Sequence, residues 1–171
     1  MWETIAADAA AESPLWAEAR LPDAEQIREP VFSRLGPAGH ALGLETIYEG
    51  YLVHYGRSRL FAPGDSEAAL VLGDYLYAHG LVRIAATGDV AAVADLAELI
   101  SLCAQARAEG QAGDGAAWAA TAAVLGVGDL GPARSALRVG RDAGPLEATA
   151  RSESGDEEVE RALAAHARLV G

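Results

Sequence analysis

The spacing of the apolar residues constrains this chain more than any other feature. From Ala38 to Tyr55, the residues Leu44, Ile47, Tyr48, Tyr51, Leu52 and Tyr55 recur at steps of three and four. Only a helix gathers such positions on one face, because a strand would send alternate residues to opposite sides. The same rhythm returns from 90 to 109 in Val90, Val93, Leu96, Ile100 and Cys103. Between them, Ser66 to Ala86 is apolar almost all round, with Leu70, Val71, Leu72, Tyr75, Leu76, Leu81, Val82 and Ile84. That pattern predicts a helix covered on every side, at the centre of the fold. Shorter helices are expected at 116–125, anchored by Trp118, and at 132–139.

Alanine supports the same reading. It supplies 39 of 171 residues and inflates the 51% hydrophobic content; it is the best helix former and lets neighbouring helices approach closely. The predicted fold class is all-α, a helical bundle. Prolines at 14, 22, 30 and 37 break the first forty residues into short pieces that wrap the bundle. Pro63-Gly64 is turn chemistry, with Asp65 or Ser66 capping the next helix, and Gly88-Asp89 is a stop followed by a restart. Residues 1–140 are expected to form the bundle domain, with 141–156, polar and turn-rich, as a linker or long loop. A C-terminal helix is expected at 157–171, its early Glu157, Glu158 and Glu160 and later Arg161 and Arg168 complementing the helix dipole.

The charge excludes some partners. A net charge of −12 argues against a groove that tracks nucleic-acid phosphates. All 13 basic residues are arginine, so neither a Schiff-base lysine nor a P-loop lysine exists here. Cys103, the single cysteine, sits in an apolar helical pattern and is expected to be a buried, inert thiol in a reducing compartment. No apolar run approaches the roughly 18 residues of a membrane span and the N-terminus lacks a leader pattern, so a cytoplasmic protein without a membrane span is expected.

Three motifs, in order, resemble trans-polyprenyl (isoprenyl diphosphate) synthases. Leu44 to His54 is similar to the helix that carries that family's first aspartate-rich motif; Ala69-Leu70-Val71-Leu72-Gly73-Asp74-Tyr75-Leu76 is similar to its Gly-Asp helix; Gly110-Gln111-Ala112-Gly113-Asp114 is similar to its Gly-Gln-x-x-Asp motif. The likeness spans roughly residues 38 to 125 and implies a truncated isoprenoid synthase fold. Where the family has Asp-Asp after the histidine, this chain has Tyr55-Gly56, and no adjacent Asp-Asp pair occurs anywhere. The family's Mg²⁺ ions, which neutralise a departing diphosphate, have no matching ligands. Its N-terminal basic clamp is replaced by Gly36-Pro37-Ala38-Gly39-His40, which carries no basic side chain but His40, leaving Arg57 and Arg59 as the candidates for gripping a diphosphate.

The resemblance thus implies a scaffold without catalytic residues, metal or cofactor. A homodimer or heteromer through helices around 66–109 is the leading expectation. A second is a hydrophobic, isoprenoid- or lipid-like ligand in a pocket lined by Tyr48, Tyr51, His54, Tyr55, Asp74, Leu76, Gln111 and Asp114; a third is an accessory subunit of a heteromeric synthase. Glu45 and Glu49, one turn apart, are expected on a solvated face. His54 is expected to be a hydrogen-bonded core residue, and Asp74 to have a partner, since an unpaired carboxylate in an apolar helix is costly. Gln111 and Asp114 suit either a pocket wall or a plain turn.

Overall fold

Ten consecutive residues of one helix, Gly43 to Leu52, are buried, and they define the centre of the molecule. The computed structural model describes residues 1–170. It contains α1 (Trp2–Glu12), α2 (Pro14–Ala19), α3 (Ala41–Tyr55), α4 (Ser66–Ala85), α5 (Val90–Ala108), α6 (Asp114–Ala123), α7 (Gly131–Gly140), α8 (Gly144–Ser154) and α9 (Asp156–Val170), with a 3₁₀ turn, Ala38–His40, leading into α3. The described residues form no strand, only a single bridge between Arg20 and Phe61. The all-α expectation therefore holds.

Local chemistry sets the boundaries much as expected. Ser13 caps α2 with Pro14 in the first turn, and Asp65 accepts from Ala68 N at 2.8 Å to cap α4. Gly88 takes a left-handed φ of 82°, and Asp89 accepts from Ala92 N at 2.9 Å to start α5.

α3 and α4 form an antiparallel hairpin whose close approach depends on glycine. A methyl group at Gly80 would lie 2.3 Å from Ile47 Cγ1 and 3.0 Å from the Gly43 carbonyl oxygen. One at Gly50 would lie 2.9 Å from the Gly73 carbonyl oxygen. Gly43 therefore meets Gly80, and Gly50 meets Gly73. α6 is the second central helix, buried continuously from Gly115 to Ala122.

Apolar side chains collect on both sides of α3. The larger cluster joins Tyr48, Tyr51 and Leu52 to Val31, Phe32 and Leu35, to α5, and to α6 through α9. The smaller one lies on the other side, where Leu60, Phe61, Leu72 and Leu76 meet Ile5, Ala6 and Ala9 of α1.

Two expectations need correction. α4 is not central: Leu70, Val71 and Val82 are 56%, 57% and 63% exposed, so only the side facing α3, α1 and α5 is covered. The reason is geometric, since a helix that close to one partner through glycines turns its far side away from it. Residues 141–156 are not a linker either. α8 runs through them and places Leu146 and Ala150 in the core against α6. Gly144-Pro145 looks like a turn in sequence, but proline in a first helical turn begins a helix.

Candidate functional site

The central helix carries charge. Glu45 and Glu49 are fully buried, contrary to the solvated face expected for them. Arg59, from the α3–α4 connection, reaches between them: its Nη1 lies 2.7 Å from Glu45 Oε2 and its Nε 2.9 Å from Glu49 Oε2. The other carboxylate oxygens hold backbone. Glu45 Oε1 accepts from Val31 N at 3.0 Å and Ser33 N at 3.2 Å. Glu49 Oε1 accepts from Ser58 Oγ, Arg59 N and Leu60 N at 2.5, 2.8 and 2.9 Å. Arg59 also donates to the Glu29 carbonyl at 3.0 Å, and its guanidinium carbon lies 4.7 Å from the Trp2 ring centroid and 5.0 Å from that of Tyr48. Burial opposes its charge, but the two carboxylates outweigh that and hold the guanidinium protonated. Every strong polar group here is occupied by another part of the chain, so the network ties segments 29–33 and 58–60 to α3.

A second polar group forms where α3, α5, α6 and α9 converge. Asp114, the first residue of α6, accepts from the Tyr51 hydroxyl, and its Oδ2 lies 2.5 Å from Arg107 Nη2. Arg107 Nε donates to the same hydroxyl at 2.8 Å. His166 of α9 lies with Nδ1 2.9 Å from Tyr48 Oη and with Nε2 3.7 Å from Asp114 Oδ1. Burial pushes the Asp114 carboxyl up, but His166, Tyr51 and Arg107 together hold it well below the usual carboxylate range. Burial, with the Asp114 charge, pushes the Tyr51 phenol far above its ordinary value, and burial does the same for Tyr48. Both remain donors. Cys103 is buried, and that burial pushes its thiol up, as expected for an inert sulfhydryl.

The eight expected pocket residues do not share one site. Tyr48, Tyr51 and Asp114 do come together, but as core: Tyr48 and Tyr51 pack edge-on to Trp118, at ring-centroid distances of 5.0 and 5.7 Å, and Phe32 meets Tyr48 at 5.1 Å. The space between these helices is filled by aromatic side chains. His54 and Tyr55 form a separate group with Asp74, whose Oδ1 lies 3.3 Å from His54 Nε2, and with Tyr77. Burial depresses the His54 imidazole below its usual value against the opposing pull of Asp74. Leu76 points into the small cluster on the other side of α3. Gln111 uses its amide in a turn, donating to the Leu137 carbonyl at 2.7 Å, ahead of Gly113 at a φ of 118°.

Sequence reasoning missed His166, Trp118 and Arg107 as partners of the tyrosines, and it missed Arg59 as the counter-charge of both glutamates. The aromatic and basic residues are visible in sequence, but their convergence from four helices is not. One surface cleft, of about 350 Å³, does open beside Arg107, Gln111 and Asp114. Its two charged groups are spent on each other and on Tyr51, an arrangement that fastens the α5–α6 turn. Comparison of the chain with protein-family models, with curated proteins and with solved structures gives no match. The likeness to trans-polyprenyl synthases therefore rests on the motifs quoted above.

Proposed function

We propose that this protein is a non-catalytic helical scaffold that pairs with a second copy of itself through the outer face of α4. The carrying observation is the apolar stripe on that face. Val71, Ala78, Val82 and Ala85 follow one another at helical spacing, all exposed, with Leu70 beside them. Val90, at the start of α5, is 79% exposed. Asp74, whose Oδ1 lies 3.3 Å from His54 Nε2, is the one charge within the stretch from Leu70 to Ala85 on this face. In a chain of net charge −12, a strip of this length with a single charged residue stands out from the rest of the surface. A two-fold axis crossing α4 midway between Val71 and Val82 sets the two α4 helices antiparallel, with Val71 of each over Val82 of the other, and such a contact closes on itself. The resemblance to a family of helical prenyl synthases without their metal ligands supports the non-catalytic half of the reading.

Sedimentation velocity over a range of concentrations tests the pairing. The expected result is a dimer that Val71→Glu with Val82→Glu converts to a monomer, while the far-UV circular dichroism stays unchanged because both sites face solvent. A wild-type chain that remains monomeric at high micromolar concentration overturns the reading.

A further inference from the structure

A cleft of about 410 Å³ lies between the segment around Ile27–Val31, the residue Arg57 and the end of α9. Its floor is apolar, made by Ile27, Val31, Ala165 and Leu169, and its rim carries Arg57, Arg168 and Glu29. Among the described residues, nine of the thirteen arginines make ion pairs. Arg57 and Arg168 are among the four that do not, although the chain holds 25 carboxylates. Two guanidiniums without an ion pair among the described residues, on one apolar cleft, are unexpected in so acidic a chain.

The walls are held in place before any ligand arrives. Val31 N is bonded to Glu45 Oε1 at 3.0 Å, and the Glu29 carbonyl to Arg59 at 3.0 Å, so the buried network fixes one wall. Arg57 N donates to the Leu169 carbonyl at 2.7 Å, which fixes Arg57 beside the end of α9. A preformed, mostly apolar cleft of a few hundred cubic ångströms with a small number of polar groups has the general character of a small-molecule site.

We propose that this cleft binds a small amphipathic monoanion, a carboxylate with an apolar body. The apolar body lies on Val31 and Leu169, and the carboxylate meets the guanidinium forks, whose planar donors match its two oxygens. Two arginines and one glutamate leave a single net positive charge, which favours a monoanion over a diphosphate. This site is separate from the outer face of α4 and does not depend on the pairing proposed there.

Isothermal titration of the full chain with decanoate tests the assignment, with acetate and decyltrimethylammonium as controls. Saturable binding of decanoate alone is expected. Arg57→Gln with Arg168→Gln should weaken it roughly tenfold or more. Glu29→Gln should tighten it, a gain that damage to the fold could not produce. The proposal is overturned if decanoate does not saturate the protein, if the arginine variant binds it equally well, if the cation binds as tightly, or if the protein binds only anionic vesicles of phosphatidylglycerol.

Discussion

Arg59 shows how one residue can reverse the reading of a helix. In sequence, Glu45 and Glu49 one turn apart look like a wetted face, because a buried carboxylate without a counter-charge is among the costliest features a fold can carry. The counter-charge lies ten residues beyond Glu49, outside the helix, and no periodicity points to it. With Arg59 in place both carboxylates are buried and each also accepts backbone N–H groups. The helix that looked half-solvated is thus central, and the apolar α4 that looked central is not. Removing the cation should be severe. Arg59→Met leaves two buried carboxylates facing each other and is expected to cost about 3–5 kcal/mol in unfolding free energy. Urea denaturation of the variant measures this, and a loss below about 1 kcal/mol would show that the network behaves as a solvated ion pair.

At the scale of the element, the hairpin of α3 and α4 rests on two glycines in each helix, seven residues apart. Gly43 and Gly50 face Gly80 and Gly73 in reverse order, as antiparallel packing requires. The spacing can be read in the sequence, yet glycines in a helical pattern look like weaknesses, since each lowers helix propensity by about 1 kcal/mol relative to alanine. Their purpose emerges only once the two helices are known to be partners. Gly80→Ala gains that propensity, but its methyl group meets Ile47 and the Gly43 carbonyl, and backbone cannot move aside as a side-chain tip can. Overpacking of this kind costs about 1–3 kcal/mol, so a net loss of stability is expected. Gly140→Ala, at the end of α7 with nothing within 4 Å of the new methyl group, should be neutral or stabilising. Thermal melts of the two variants side by side give the comparison, and equal melting temperatures would mean that the hairpin tolerates separation of its helices.

For the whole molecule, helix content and most helix positions were legible because propensity and 3.6-residue periodicity are local properties. What was not legible was which helices cover which. The chain looks as though it could end its domain near residue 140, because 141–156 is polar and α8 carries only Leu146 and Ala150 as buried anchors. Those two side chains cover α6, and α9 adds Val159, Ala162, Ala165, His166 and Leu169 to the same side. The candidate site depends on this closure too, since His166 of α9 completes the group around Tyr48 and Asp114. A chain cut after Gly140 would leave α6, buried from Gly115 to Ala122 in the intact protein, facing water. Burying apolar area contributes roughly 25 cal/mol per Å², and a domain's net stability is only about 5–15 kcal/mol, so exposing a central helix removes a large share of it. The 1–140 fragment is therefore expected to lose cooperative unfolding and near-ultraviolet dichroism while keeping part of its helix signal, whereas the full chain unfolds in a single transition seen alike by both probes. A fragment that melts as sharply as the full chain would show that the first seven helices form the fold by themselves and that α8 and α9 are added to it.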